Sequence, residues 1–307
     1  MSASTYRLIA AAGVAAISFS PILIRAADDG SDMTIAFFRT AYALPILLVI
    51  YWTLRSRDQR PLRSRMMAGA SGVFLALDLA FWHASIRQLG AGLATVIVYV
   101  QVVFVALLAW LLFGEKPARR SIALLPLILL GLFLISGAGS ADAYGDNPAL
   151  GTIQALTGGL LYALFILLLR QSGKGHDSPP SGPLLDATIG TAVVALLIGV
   201  AIEPDFSLAP SWPLHGWLLL LAVISQVVGW LMITRAMPHL PALDTSILLL
   251  GQPMLAILWA GMIFNESLGS GQWFGAALVL TGLLVFNLSK ASGKSGQQTV
   301  DAGGQTG

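Results

Sequence analysis

The sequence predicts an all-α integral membrane protein in which ten transmembrane helices form two inverted five-helix repeats, with both termini in the cytoplasm. Three observations lead to this prediction: the composition, the distribution of positive charge between loops, and an internal repeat. Hydrophobic residues make up 56% of the 307 residues and charged residues 10%, whereas an ordinary soluble domain is roughly 25% charged. A soluble protein of this composition would lack the polar groups to cover its surface, so we expect the chain to lie in a lipid bilayer.

Apolar runs long enough to cross a bilayer core of about 30 Å follow one another along the chain. We predict helices, because membrane strands would show alternation instead of continuous runs. The first run follows Arg7 like a signal peptide, but Pro21 interrupts it and nine further runs follow, so we expect it to be retained. The predicted spans are 6–26, 33–54, 64–87, 90–113, 119–138, 149–171, 183–202, 213–236, 240–264 and 270–289, and residues 290–307 are predicted to be a disordered cytoplasmic tail.

Lys and Arg residues fall mostly on one side of the predicted membrane. With the N-terminus in the cytoplasm, fourteen of them lie in or beside cytoplasmic loops and two lie outside. Since cytoplasmic loops are enriched in Lys and Arg, this asymmetry supports the orientation and an even number of spans. The cytoplasmic set is Arg7, Arg55, Arg57, Arg60, Arg63, Arg65, Lys116, Arg119, Arg120, Arg170, Lys174, Arg235, Lys290 and Lys294, and the outer pair is Arg25 and Arg87.

The same sequence argues against several functional classes. The net charge is only +2, so no nucleic-acid partner is predicted. Cysteine is absent and the four histidines are scattered, so we predict no metal site. No Walker A, GxGxxG, HExxH or GxSxG string occurs, so we predict no cofactor, no ATP-driven step and no enzymatic activity.

The internal repeat relates 81–136 to 229–287. Trp82 matches Trp230 at an offset of 148, Gln101 matches Gln252 at 151, and Gly13 matches Gly158 at 145. The predicted halves are therefore 1–144 and 145–289, each with five spans, and an odd number of spans inverts the second half in the membrane. Two such halves can exchange conformations around a site near the midplane, which is typical of secondary transporters. The alternative is an inert or scaffolding bundle produced by duplication.

Two segments carry a resemblance to a known family. The string from Thr95 through LLFGEK and the string from Thr245 through MIFNE resemble the paired signatures of the drug/metabolite transporter superfamily, in its EamA-type ten-helix exporters. The resemblance covers about 6–289 and implies a bacterial inner-membrane exporter with a central cavity. The second half keeps the mid-helix Pro of the pattern, at Gln252-Pro253, while the first half departs from it at Gln101-Val102.

A finer resemblance concerns the first half. Trp82-His83 and Tyr99-Val100-Gln101 are similar to the YddG-type branch, which implies export of aromatic amino acids. The expected partners are a small-molecule substrate and the bilayer, and such a bundle can work as a monomer. An exporter of cationic drugs remains the alternative within the superfamily, and a membrane scaffold or enzyme the alternative outside it.

Polar residues inside the spans are the candidate substrate-binding residues, because buried polar groups are costly in a bilayer. Asp78 and Trp82 share one helix face, and the repeat places Gln226 and Trp230 at the matching positions. Both pairs could instead clamp helices together. The remaining candidates are His83, Tyr99, Gln101, Tyr162, Ser246 and Gln252, each of which could also serve helix packing.

Asp78 and His83 are the candidates for proton coupling, because they are the mid-membrane groups expected to titrate. Arg39 could bind a carboxylate, pair with Asp186 or anchor its helix at the outer interface, and we favour the anchor. Asp186 and Asp244 are expected near helix N-termini. Glu115 and its repeat partner Glu266 are expected to cap the helices that follow them.

Overall fold

The computed structural model describes residues 1–27, 30–89, 97–117, 119–135, 147–176 and 178–264, and from the last stretch 271, 273–275, 277, 278, 281, 282 and 285. All regular structure in these ranges is helical. The helices of the first half are α1 (Ala3–Ile17), α2 (Ser20–Ala26), α3 (Asp32–Ala41), α4 (Ala43–Leu54), α5 (Leu62–Leu89), α6 (Gln101–Phe113) and α7 (Arg119–Ile135). Those of the second half are α8 (Pro148–Gly173), α9 (Ser181–Ile202), α10 (Leu214–Leu221), α11 (Trp230–Ala236), α12 (Ala242–Leu249) and α13 (Gly251–Phe264).

Six stretches of the described chain are long and apolar enough to cross a membrane. They are Ala3–Ile24, Asp32–Arg57, Leu62–Ser85, Ala149–Gly173, Ser181–Ile202 and Leu214–His239. These correspond to the first, second, third, sixth, seventh and eighth predicted spans. The fourth and fifth are represented by the shorter apolar helices α6 and α7, and the ninth by α12 and α13. Most of 270–289 and all of the predicted tail lie outside the described residues, so ten spans and the orientation stay predictions.

Three of the helix breaks have one chemical cause. A proline lacks the N–H that would bond to the carbonyl four residues earlier, and its ring crowds that carbonyl. Pro21, Pro45 and Pro253 each lie four residues after the last residue of a helix, namely Ile17 of α1, Ala41 of α3 and Leu249 of α12. Pro126, in contrast, lies inside α7 without breaking it.

A different irregularity occurs between α10 and α11. Residues Ala222–Gly229 form a π-helical segment that continues both helices without a break. Widened turns of this kind are rare and recur at functional sites. This segment carries Gln226, one of the candidate site residues.

Glycines allow the central helices to approach closely. A Cβ on Gly72 of α5 would lie 1.9 Å from the carbonyl oxygen of Ala187 in α9. A Cβ on Gly13 of α1 would lie 2.8 Å from the carbonyl oxygen of Gly229. Helix α8 packs along α5, and α1 packs on α11 and the π-helical segment. The first helix of each predicted half therefore packs on the third span of the other half.

Candidate functional site

The centre of the candidate site is the carboxyl group of Asp78, in the third turn from the end of α5. The residue is only 5% exposed, and its Oδ1 has no hydrogen-bond partner among the described residues. Gly158 of α8 lies directly opposite, since a Cβ there would be 3.2 Å from that Oδ1. A buried, unpaired carboxylate is costly in a membrane protein, so a bound proton or a cationic partner would stabilise this group.

Aromatic residues lie near Asp78 on each of the packed segments. Tyr162 is one turn after Gly158 on α8, and Tyr99 directly follows Val98, whose carbonyl oxygen lies against Gly159. Trp82 lies one turn further along α5, is half-buried, and has an indole Nε1 with no hydrogen-bond partner in the described ranges. The acid therefore has an apolar, aromatic surrounding with few polar contacts, as small-molecule sites commonly do.

Tyr99 reaches this position because the backbone before α6 lies against α8. A Cβ on Gly159 would be 2.7 Å from the carbonyl oxygen of Val98. Val98 also packs with Ala155 and Trp82 in one small apolar cluster. The glycine pair Gly158–Gly159 thus brings both α5 and the start of α6 onto the same face of α8.

Arg39 is part of this site, contrary to the expectation that it anchors α3 at the outer interface. Its Nη2 donates a hydrogen bond to Oε1 of Gln226 at 3.3 Å, and Gln226 in turn donates to the Thr188 hydroxyl at 3.3 Å. Tyr162 interacts electrostatically with both Arg39 and Asp78. The proposed pairing of Arg39 with Asp186 is wrong, because Asp186 pairs with Arg60 at 2.9 Å.

Gln101 and Ser246 form a second polar contact between the halves. The Ser246 hydroxyl donates to the Gln101 Oε1 at 3.0 Å, and both residues are fully buried. Gln252, the repeat partner of Gln101, is half-buried in the first turn of α13. The structure joins Gln101 and Ser246 by this bond, and among the described residues Gln252 forms no hydrogen bond with either of them.

The surroundings of His83 and of Trp230 differ from those of Asp78. The His83 ring lies 5.1 Å from the Trp82 ring, and its Nδ1 is 3.5 Å from a carboxylate oxygen of Asp32. Trp230 is 4% exposed and packs edge-on against Phe165, with 4.9 Å between ring centroids. The two repeat-related indoles therefore lie in unlike places: Trp82 beside the acid and Trp230 in the central apolar core.

Two charge clusters connect helix ends outside the site. Arg60, which is buried, forms 2.9 Å ion pairs with Asp58 and Asp186. Asp186 lies in the second turn of α9, near the N-terminus of that helix, and Asp244 lies in the first turn of α12.

Glu115 belongs to the other cluster. It accepts hydrogen bonds from Arg170 and Lys174, both at 2.8 Å. It also accepts from the backbone N–H of Ala242 at 3.4 Å, so it caps α12, a helix of the other half. Glu266 lies outside the described residues.

A polytopic helical bundle with a buried acid, a guanidinium group and aromatic side chains at its centre belongs to the class of membrane transport proteins. The model of the EamA-like transporter family matches residues 5–137 and 149–288, and the chain belongs to that family. The chain is thus a transporter of the drug/metabolite superfamily. The match does not extend to the YddG-type branch, which stays a prediction.

Related proteins belong to the same class. An uncharacterized transporter of Archaeoglobus fulgidus is 28% identical over 89% of this chain and 95% of its own length. The pseudopaline exporter CntI of Pseudomonas aeruginosa is 24% identical over 78% of this chain and 77% of its own length. A solved crystal structure superimposes with a TM-score of 0.78 over 94% of this chain and 98% of that one, at 16% identity, and shows likeness of fold.

Proposed function

We propose that the protein is a secondary, ATP-independent transporter that exports small amphipathic metabolites, with amino acids, and aromatic ones in particular, as its substrates. The observation that carries this proposal is the buried carboxyl group of Asp78, whose Oδ1 has no partner in the described part of the chain and which has Trp82, Tyr99 and Tyr162 nearby. An ammonium group would supply the missing partner of the acid, and an aromatic ring would stack in the surrounding apolar space.

Alternating access is the proposed mechanism. Reciprocal packing of α1 and α8 on the opposite halves supports two inverted repeats of 1–144 and 145–289. Discontinuous helices at Pro21, Pro45 and Pro253 supply places where backbone can bend, as in other inverted-repeat transporters. The proposed setting is a bacterial inner membrane with both termini cytoplasmic, in which the bundle works as a monomer. We propose export as the direction because the relative CntI is an exporter.

Counterflow into liposomes tests the function directly. Purified protein is reconstituted with unlabelled internal substrate, and uptake of labelled phenylalanine, tryptophan, threonine and a cationic dye is followed without ATP. The proposal predicts exchange of the aromatic amino acids, with loss in Trp82→Ala, because that ring is half-buried beside Asp78. Absence of flux for all amino acids with folded protein would overturn it.

Export of cationic compounds is the second candidate, since a buried acid is also what a cation site needs. Movement of the dye alone, abolished by Asp78→Asn, would replace the first proposal with this one. The exposed Asp205, which lies in the loop after α9, provides the matched control variant Asp205→Asn.

Proton coupling is proposed for Asp78 or His83. Asp78 is buried opposite Gly158, and the His83 Nδ1 lies 3.5 Å from Asp32, so the two candidates have different surroundings. A pH gradient should drive phenylalanine flux in the wild type. If His83 carries the proton, His83→Gln should keep phenylalanine exchange and lose its dependence on the gradient, whereas Asp78→Asn should lose the exchange itself. Gradient-driven flux that is unchanged in both variants would remove coupling from these residues.

A further inference from the structure

Arg39 has no acidic partner among the residues that the structure describes. Arg60 and Arg170, the two buried arginines of the described chain, each form an ion pair with a carboxylate, Arg60 with Asp58 and Arg170 with Glu115. Arg39, in contrast, makes one hydrogen bond to the described residues, and that acceptor is the neutral amide oxygen of Gln226. Its Nε is buried and has no partner among them.

The position of Gln226 holds the guanidinium group in place without neutralising it. Gln226 is 2% exposed and donates its own N–H to Thr188, so its oxygen is turned toward Arg39. The π-helical segment around Gln226 widens the turn that presents this side chain. An arginine that is oriented but not neutralised presents paired N–H donors suited to a planar carboxylate.

The charged groups that act on the Tyr162 hydroxyl are Asp78 on α5 and Arg39 on α3, so both lie in the neighbourhood of this one tyrosine. Arg39 is half-buried, less enclosed than Arg60 and Arg170. The site thus has a cationic end at Arg39 and an anionic end at Asp78, with aromatic side chains beside the anionic one.

We propose that Arg39 is the carboxylate-binding residue of the transport site, so that Arg39 and Asp78 together select zwitterions that carry both an ammonium and a carboxylate group. The inference rests on the proposed transport function and assigns its substrate class. Ligands with only one of the two charges leave either the guanidinium group or the acid unpaired in an interior site, which disfavours them.

Three probes of similar size test this assignment in the counterflow assay: phenylalanine, phenethylamine and 3-phenylpropanoate. The wild type should exchange phenylalanine best. Arg39→Gln should lower phenylalanine exchange by about tenfold or more while phenethylamine exchange is retained or raised. Asp78→Asn should show the reverse pattern, with 3-phenylpropanoate retained or raised. Arg57→Gln, at an exposed site after α4, is the matched control and should match the wild type.

The outcomes separate this inference from the function on which it rests. If the wild type exchanges phenylalanine and Arg39→Gln exchanges it equally well, the proposed role of Arg39 is overturned and the transport function stands. Equal loss of all three probes in Arg39→Gln, without recovery of phenylalanine in Arg39→Lys, would assign Arg39 a structural role instead. Absence of exchange by the folded wild type for every probe would overturn both proposals.

Discussion

The hydroxyl group of Ser246 donates a hydrogen bond to the side-chain oxygen of Gln101 at 3.0 Å, and both residues are fully buried. The bond connects α12 with α6, which belong to different predicted halves. The amide nitrogen of Gln101 has no partner among the described residues, so Ser246 is what fixes the orientation of this side chain. The polar interior of the bundle therefore contains a structural contact as well as the open groups at Asp78 and Arg39.

Removal of this bond should destabilise the protein measurably. Ser246→Ala leaves the Gln101 oxygen buried and unpaired, and we expect a loss of about 0.5–2 kcal/mol. The thermal midpoint in detergent measures it, with Ser56→Ala, at an exposed position, as the control. Equal midpoints for the two variants would contradict a stabilising role for the bond.

Close packing of α5 on α9 predicts a sharp difference between two glycines on one helix. A Cβ at position 72 would lie 1.9 Å from the backbone oxygen of Ala187, whereas one at position 69 would lie 3.8 Å from that of Asp186. Gly72→Ala must therefore push the helices apart, and we expect loss of folded yield. Gly69→Ala should be neutral or stabilising by up to about 1 kcal/mol, because Ala is the better helix former. Similar yields and melting points for both variants would show that the helices are less tightly packed.

The buried ion pairs of Arg60 should be sensitive to removal of the cation. Arg60→Gln leaves Asp58 without its partner in a buried position, and breaking such a pair costs about 3–5 kcal/mol. Arg57→Gln removes an exposed arginine three residues earlier and should cost little. Thermal unfolding of the two variants side by side measures the difference, and a common midpoint would argue that Arg60 contributes little.

Acid should weaken the contact that Glu115 makes between helix ends. Burial acts to raise the pKa of the Glu115 carboxyl group, but hydrogen bonds and charge from Lys174 and Arg170 outweigh burial, so the pKa lies below its ordinary value of 4.5. A lowered pKa gives stability that is complete above the ordinary value and is lost as pH falls through the folded one.

Glu115→Gln should therefore lower the melting point at pH 7, and the difference from the wild type should shrink as the pH falls below 4.5. The control is Asp205→Asn, which removes an exposed carboxyl group and should leave the melting curve unchanged across this range. A difference between Glu115→Gln and the wild type that is constant with pH would contradict the account of this carboxyl group.

The helical class and six of the spans could be predicted because they depend on local composition. A run of about 20 apolar residues is sufficient to indicate a spanning helix, whatever packs beside it. The breaks at Pro21, Pro45 and Pro253 follow equally from local backbone chemistry.

The partners of charged residues could not be predicted, because they depend on distant parts of the chain. Arg39 bonds to Gln226, a separation of 187 residues, and Glu115 caps a helix that begins more than 120 residues later. The signal for Arg39 was present, since it is an arginine inside a predicted span. The internal repeat also did not predict the surroundings of matched residues, because Trp230 is buried in the apolar core while Trp82 lies beside Asp78.

Counterflow of labelled phenylalanine tests the central claim, that the unpaired acid at the centre of the bundle binds transported substrate. The measurement compares wild type, Asp78→Asn and Asp205→Asn in liposomes without ATP, after folding of each has been verified by its melting curve. The account predicts saturable exchange in the wild type and in Asp205→Asn, and its loss in folded Asp78→Asn. Exchange by Asp78→Asn at the wild-type rate would contradict the claim.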